Sequence, residues 1–171
     1  ANTTASENTA VGYQAMSANT TGAKNTAFGL NALDANTTGY RNTTIGYNSQ
    51  TNSTTGNNNT TCGADTMVAL STGHDNTAIG AFTLNSISTG SNNVGVGASA
   101  LEALTNASGN TAVGWHSQMR TTTGSGNISI QTTKNDYKQN EQVLILGNTD
   151  SVNVLLDLVI TDPVGKIIKK V

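Results

Sequence analysis

The chain has 171 residues with a formal net charge of −2, and only 35% of them are hydrophobic, 4% aromatic and 11% charged. So small a charge provides no basic surface for a phosphate backbone, which argues against the usual nucleic-acid-binding classes and predicts no nucleic-acid partner. No apolar run approaches the roughly 18 residues of a membrane-spanning helix and no signal peptide is recognisable, so no membrane insertion is expected.

A strict repeat of 17 residues organises most of the chain, and it begins with Asn8-Thr9-Ala10-Val11-Gly12. Asparagine opens each of seven full units and glycine holds the fifth position, at Asn8 and Gly12, Asn25 and Gly29, Asn42 and Gly46, Asn59 and Gly63, Asn76 and Gly80, Asn93 and Gly97, and Asn110 and Gly114. An eighth copy starts at Asn127, but Gln131 replaces its glycine. The residues before Asn8 align with the tail of a unit, so we expect a fragment that starts inside a repeat.

This register argues against disorder, although the composition alone would suggest it. Asn and Thr together supply 52 of the 171 residues, and polar, weakly charged chains of this kind are often disordered. Disorder, however, does not require an apolar residue at every seventeenth place. The sequence therefore predicts a quasi-linear stack of coils, in which each unit contacts mainly its neighbours.

Positions within the unit, numbered from its asparagine, differ in their chemistry. The fourth position is always apolar, from Val11 to Val113, and includes Cys62. The eighth position is small, and the ninth is mostly long and apolar, as in Met16 and Leu33. We therefore predict that the fourth position fills the core, where Cys62 is a buried thiol that behaves as a small hydrophobe. A lone cysteine also excludes an intrachain disulfide.

Two glycine columns, at the fifth and fifteenth positions, mark where each unit turns. Glycine next to Asn or Thr adopts positive φ at little steric cost, and the β-branched residues between the turns suit short strands. A helix is disfavoured because each such glycine costs about 0.5 to 1 kcal/mol relative to alanine. We predict an all-β fold in which residues 1–130 form a parallel β-solenoid, or β-roll, of about seven coils.

Stacking of the coils at ~4.8 Å aligns identical residues into columns. The asparagines from Asn8 to Asn110 are predicted to form an amide ladder, and the threonines of the fourteenth position, such as Thr21 and Thr38, a hydroxyl ladder. A single coil has few apolar positions, so one chain buries little area at ~25 cal/mol per Å².

A homotrimer is expected, because association would bury apolar area that a single chain leaves exposed. Either the fourth-position column of Val11 and Ile45 or the ninth-position column of Met16 and Leu33 would face a common axis, and the fifth-position glycines would let the backbones approach. A monomer is the alternative.

The composition changes after Ile130. Residues 152–160 and 166–171 predict two strands, joined by a turn at Asp162-Pro163-Val164-Gly165. The end of a solenoid needs a cover, because an uncovered last coil exposes an edge that invites aggregation. Residues 131–171 are therefore predicted to form a small β-rich cap or trimerisation module.

No group of residues has the spacing of a catalytic or metal site. Carboxylates that share a column, such as Asp34 and Glu102, lie four coils apart, about 19 Å at ~4.8 Å per coil, whereas glycosidase pairs need about 5 to 9.5 Å. His74 and His116 have no Cys or carboxylate cluster with metal-ligand spacing. We expect no catalysis, no cofactor and no metal. A carboxylate pair formed between chains, as in a tailspike-like polysaccharide depolymerase, is the open alternative.

Aromatic residues recur at the sixth position of the unit. Tyr13, Tyr47 and Trp115 stand there, and His116 follows Trp115. Aromatic faces stack on sugars and anchor protein contacts, so these four residues are the candidates for surface binding. The alternative is that the column packs between coils or between chains, because large aromatic side chains are usually mostly buried.

The quoted motifs also carry a family resemblance. Asn8-Thr-Ala-Val-Gly-Tyr-Gln-Ala, the spacer Asn19-Thr-Thr-Gly and the return at Asn25-Thr-Ala-Phe-Gly resemble the repeats of phage and large-virus fibre proteins and, more distantly, the heads of trimeric autotransporter adhesins. The resemblance implies an extracellular homotrimer of β-rolls, on a virion surface or a cell-surface appendage, that attaches to a host glycan or receptor. A purely structural stalk is another possible reading.

Overall fold

The computed structural model describes residues 4–131 with their side chains and, further on, the backbone of residues 159–161 and 167–170. The chain divides into two compact units, Ala1–Thr132 and Thr133–Val171. The first unit contains eight strands of three residues each. They are β1 Thr9–Val11, β2 Thr26–Phe28, β3 Thr43–Ile45, β4 Thr60–Cys62, β5 Thr77–Ile79, β6 Val94–Val96, β7 Thr111–Val113 and β8 Ile128–Ile130.

Strands β1 to β8 form one parallel sheet in chain order. Each strand pairs with the next at an offset of 17 residues, so that Thr9 lies beside Thr26 and Ile45 beside Cys62. No helix occurs in the described part of the chain. The predicted all-β parallel solenoid of about seven 17-residue coils is confirmed, whereas the homotrimer and the cap remain predictions.

The second unit contains a two-stranded antiparallel sheet. Its strands are β9 Val159–Thr161 and β10 Ile167–Lys170, and Ile167 lies opposite Thr161. Apart from Gln131 and these two strands, the predicted cap of residues 131–171 lies outside the described residues.

The first-position asparagines form the predicted amide ladder, and Asn42 shows how each amide is satisfied. Its Nδ2 donates to the backbone oxygen of Gly56 at 2.7 Å, which ties the first position of a coil to the fifteenth, and to Oδ1 of Asn25 at 3.2 Å. Its Oδ1 accepts from the backbone N–H of Asn59 at 3.0 Å. Because a buried amide is costly unless it is paired, this bonding within and between coils accounts for an asparagine at every seventeenth residue.

The hydroxyl ladder lies one position earlier than predicted. At the thirteenth position, Oγ1 of Thr20 donates to the backbone oxygen of Thr37 at 2.9 Å, and Oγ1 of Thr37 donates to that of Thr54 at 3.0 Å. The fourteenth-position residues Thr21 and Thr38 are exposed instead. Hydroxyls therefore support the stacking by bonding to the backbone of the next coil.

The interior is filled from the third, eighth, ninth and twelfth positions and not from the fourth. Successive side chains of a strand point to opposite faces, so a buried third position turns the second and fourth outward. Val11 and Phe28 are 48% and 57% exposed, and Cys62 is exposed as well. The predictions that the fourth position fills the core and that Cys62 is buried are wrong. A narrow coil admits a small residue at the third position, such as Ala27 or Thr44, and leaves the larger fourth residue outside.

Two apolar clusters fill the solenoid, and a polar layer separates them. The first cluster consists of Met16, Ala27, Ala32 and Leu33. The second consists of Met67, Leu70, Ala78, Leu84, Ile87, Ala100, Leu101, Leu104, Ala107 and Ala112. The layer between them consists of the buried side chains of Thr44, Ser49, Gln50, Ser53 and Thr61. The ninth-position column thus lies inside the coil, which removes Met16 and Leu33 as candidates for a trimer axis.

In the turns, left-handed backbone conformations occur at non-glycine positions as well as at glycines. Non-glycine residues adopt positive φ at the seventh, ninth and seventeenth positions, for example Leu33 at 54° and Lys24 at 61°. The fifth-position glycines have positive φ as predicted, with Gly46 at 138°. The fifteenth-position glycines from Gly22 to Gly90 do not, which corrects the prediction. They are needed for space, since a Cβ on Gly39 would lie 2.4 Å from the backbone oxygen of Gly56.

Candidate functional surface

The outer side of the parallel sheet is an exposed and partly apolar surface. This outer face consists of the second- and fourth-position side chains of β1 to β8. Seven of the thirteen exposed large hydrophobic residues belong to it, namely Val11, Phe28, Ile45, Ile79, Val113, Ile128 and Ile130. Four more occupy the sixth position, namely Tyr13, Leu30, Tyr47 and Trp115. Exposed apolar area is therefore concentrated on one side of the coil and on its border.

Charged residues are absent from this surface in the described array. The side chains of Glu7, Lys24, Asp34, Arg41, Asp65, Asp75, Glu102 and Arg120 all occupy the seventh, tenth, eleventh or seventeenth position. The second position is Thr in six of the eight strands, and the fourth position is always apolar. An uncharged, partly apolar surface is less costly to remove from water than the charged sides of the coil.

The outer face is continuous along the solenoid. Eight strands at ~4.8 Å spacing extend over roughly 34 Å, and three residues across give a width of about 10 Å. The resulting flat area is on the order of 340 Å², before the bordering sixth-position column is added. This area, to which Thr contributes six of the eight second-position side chains, is comparable to the largest apolar patch of a typical soluble monomer, which is often functional.

The sixth-position candidates are exposed in the single chain. Tyr13 is 71% exposed, Tyr47 52% and Trp115 54%. Packing between neighbouring coils would have covered these rings, so they are available for contacts outside the chain. Alanine holds the same position at Ala64, Ala81 and Ala98, so large side chains occur towards both ends of the array and small ones in its middle.

The four candidate binding residues do not form one site. Trp115 and His116 stack with ring centroids 3.7 Å apart and an interplanar angle of 23°. Tyr13 lies six coils from Trp115, about 29 Å at ~4.8 Å per coil. Tyr13 and Tyr47 are two coils apart, about 10 Å, with Leu30 between them. The candidates therefore divide into a Trp115–His116 pair and a ridge formed by Tyr13, Leu30 and Tyr47.

The titratable groups of the array are dispersed. His74 Nδ1 lies 2.7 Å from Oδ2 of its neighbour Asp75, and both side chains are about half exposed. Lys24 Nζ and Glu7 Oε2 form an exposed ion pair at 3.9 Å. Among the described residues, no three His, Cys, Asp or Glu side chains come together as a possible metal-binding group.

The outward orientation of the fourth position is the property that sequence reasoning missed. A signal was present in the third position, which is Ala, Thr, Gly or Ser in every strand and is never large. Side chains of a strand alternate between its two faces. A column in which every residue is small therefore indicates the face that is turned towards the interior. The larger side chains beside it then have to point outward.

No helix in the described part of the chain is long and apolar enough to cross a membrane. Comparison of the chain with protein-family models, with curated proteins and with solved structures found no match.

Proposed function

We propose that this chain is a segment of a homotrimeric extracellular fibre or adhesin, carried on a virion or a cell-surface appendage, that presents a surface for attachment to a host. The observation that carries the proposal is the unbroken stacking of β1 to β8 at a constant offset of 17 residues. Such stacking makes a rod whose length grows by one coil spacing for each repeat, which is the property that a fibre needs.

Rigidity of the rod has a defined source in the buried ladder. Between Asn25 and Asn110 each first-position asparagine is buried and bonded to the next coil, for example Asn76 to Asn93. Bending the rod would lengthen these hydrogen bonds on one side and leave buried amides unpaired, which costs about 1 to 3 kcal/mol for each group. The described array is thus suited to act as a rigid spacer between whatever is attached to its two ends.

The outer face supports association between copies of the chain. It is uncharged and partly apolar, and nothing within residues 4–131 covers it. The interior is apolar in the fourth to sixth coils, where Leu84 and Leu101 are completely buried, and polar in the third coil. Covering the outer face would add apolar burial at ~25 cal/mol per Å².

Attachment is assigned to the exposed aromatic side chains. The rings of Tyr13, Tyr47 and Trp115 can stack on the apolar face of a sugar, and the neighbouring His116 can exchange hydrogen bonds with its hydroxyls. A host surface glycan is therefore the proposed ligand class, with a protein receptor as the other possibility.

Two measurements test this function. Light scattering at micromolar concentration should give the mass of three chains, and a clean monomer would contradict the homotrimer. On a glycan array the protein should bind a subset of sugars, and Trp115→Ala should lose at least part of that binding. Absence of any glycan binding would favour a purely structural stalk. Shortening of a host polysaccharide on incubation with the protein would instead indicate a depolymerase.

A further inference from the structure

We infer that this chain folds in a compartment where growing chains receive no N-linked glycans, because four of its acceptor motifs place the asparagine in the interior of the solenoid. The inference is independent of the proposed function. Within residues 4–131, Asn-x-Ser/Thr motifs begin at Asn19, Asn36, Asn42, Asn52, Asn58, Asn59, Asn106 and Asn127. The structure separates asparagines that can carry a glycan from asparagines that cannot.

An N-linked glycan changes the hydrogen bonds that an asparagine amide can make. The side-chain nitrogen forms a bond to C1 of the first sugar and releases one proton, while the lipid-linked pyrophosphate that carried the sugar leaves. Of the two hydrogens that an unmodified amide donates, only one remains. The sugar is also bulky, so the modified nitrogen has to lie at the surface.

Two of the buried acceptors belong to the amide ladder. Asn42 is completely buried, and its Nδ2 donates to the backbone oxygen of Gly56 at 2.7 Å and to Oδ1 of Asn25 at 3.2 Å. Asn59 is buried in the same way, and its Nδ2 donates to the backbone oxygen of Gly73 at 2.9 Å and to Oδ1 of Asn42 at 3.2 Å. A sugar on either nitrogen would break one of these bonds and separate two coils.

The other two buried acceptors lie at the twelfth position, where Asn19 and Asn36 are at most 1% exposed. Nδ2 of Asn36 donates to Oδ1 of Asn19 at 2.8 Å and to the backbone oxygen of Gly39 at 3.1 Å. The space beside this nitrogen is too small even for a methyl group, since a Cβ on Gly22 would lie 2.6 Å from it. A sugar therefore does not fit inside the coil.

Exposed acceptors show the contrast. Asn52 and Asn106 stand at the eleventh and fourteenth positions, on the outside of the coil. Oγ1 of Thr89 donates to Oδ1 of Asn106 at 3.1 Å, and this bond would persist with a sugar on Nδ2. A glycan at these two sites is thus compatible with the stacked coils.

The order of events makes the buried motifs decisive. In a secretory pathway that makes N-linked glycans, sugars are transferred while the chain is unfolded and every motif is accessible. A glycan on Asn42 or Asn59 would then remain on the chain and leave the backbone oxygen of Gly56 or Gly73 without its buried partner. The solenoid therefore forms only where this transfer does not precede folding.

Expression of the full chain in two compartments of one eukaryotic cell line tests the inference. The chain is produced in the cytosol and, behind a cleavable signal peptide, in the secretory pathway, with and without an inhibitor of lipid-linked sugar synthesis. Soluble and aggregated material are separated, and folding is followed by circular dichroism. Mass spectrometry measures the glycan occupancy of each asparagine.

The cytosolic chain should be soluble and folded, and the secretory pathway should yield at least ten times less folded protein. Glycans on Asn42 or Asn59 should occur only in the aggregated fraction, and the inhibitor should restore folding. The matched control is Thr54→Ala with Ser108→Ala, which removes the exposed motifs of Asn52 and Asn106 and should not restore it.

Three results would overturn the inference. The first is folded protein with a glycan on any of the four buried asparagines. The second is a secretory chain that folds as well as the cytosolic chain without the inhibitor. The third is a secretory chain that stays aggregated after the inhibitor has removed every glycan, because the cause of misfolding would then lie elsewhere.

Discussion

The hydroxyl of Thr44 donates a hydrogen bond of 3.0 Å to Oε1 of Gln50 inside the third coil, where both side chains are completely buried. Nε2 of Gln50 lies 3.2 Å from Oγ of Ser53 and 3.3 Å from Oδ1 of Asn42. The glutamine thus bonds to the third, twelfth and first positions of its own coil. It is the centre of the polar layer that separates the two apolar clusters.

Replacing Gln50 alone should therefore destabilise the solenoid. Gln50→Leu places an apolar residue typical of the ninth position but leaves the hydroxyls of Thr44 and Ser53 buried without this partner. The expected loss is about 1 to 3 kcal/mol in the free energy of unfolding, because a buried polar group without a partner costs about that amount. Chemical denaturation followed by circular dichroism measures it.

A matched variant compares the loss of the whole polar network with the loss of one of its residues. Thr44→Ala, Gln50→Leu and Ser53→Ile together install the residues that the fifth coil has in Ala78, Leu84 and Ile87. Because no buried partner is then left unpaired, this triple variant should be at least as stable as the unmodified chain. A triple variant less stable than Gln50→Leu would contradict the assigned role of the layer.

The asparagine ladder should be the most sensitive feature of the array. Asn59 donates to the backbone oxygen of Gly73 at 2.9 Å, and its Oδ1 accepts from the backbone N–H of Asn76 at 3.0 Å. Asn59→Ala removes these bonds and leaves buried groups on two coils unpaired, so it should cost about 3 kcal/mol. Asn52→Ala, at an exposed eleventh position, should change stability by no more than about 0.5 kcal/mol. Equal effects in thermal unfolding would show that the ladder is unimportant.

Glycine at the fifteenth position should be required for space and not for backbone conformation. A Cβ on Gly39 would lie 2.3 Å from Oδ1 of Asn36 and 2.4 Å from the oxygen of Gly56. We expect Gly39→Ala to destabilise by about 3 kcal/mol, since neither neighbour can move without disturbing its coil. Gly109→Ala is the control, because its nearest contact would be 3.7 Å and only its φ of 72° is unfavourable, at about 1 kcal/mol. A larger loss for Gly109→Ala than for Gly39→Ala would refute this assignment.

A charge on the outer face should separate the chains without unfolding them. Ile45→Asp places a carboxylate near the proposed axis on every copy, where like charges repel and burial is costly. Light scattering should show the mass falling from three chains to one, with an unchanged circular dichroism spectrum. Thr38→Asp, at the exposed fourteenth position, should remain trimeric. Retention of the trimer by Ile45→Asp would place the interface elsewhere.

Much of the fold could be predicted from the period. The offset of seventeen residues from Asn42 to Asn59 sets both the length of a coil and the register of β3 on β4. Each residue lies beside the residue that holds the same position in the next coil. The amide ladder followed from the same repetition. For the surface, the sequence indicated Tyr13, Tyr47 and Trp115 as candidate binding residues. It did not indicate that they lie in two separate regions of the solenoid.

The tertiary structure decided which side of each strand is the inside. A strand of three residues is too short for its alternation to be read with certainty, and both Ala27 and Phe28 are apolar. The uniformly small third position is the one signal in the sequence, and the closed coil gives its reason, because buried ninth- and twelfth-position side chains such as Leu84 and Ile87 already occupy the interior. By itself, the sequence determined the stacking of identical columns. Closure of the coil turned the small column inward and Val11, Ile45 and Cys62 outward, because the third position packs against eighth- and ninth-position side chains, as Gly95 does against Thr83 and Leu84, which leave little space beside them.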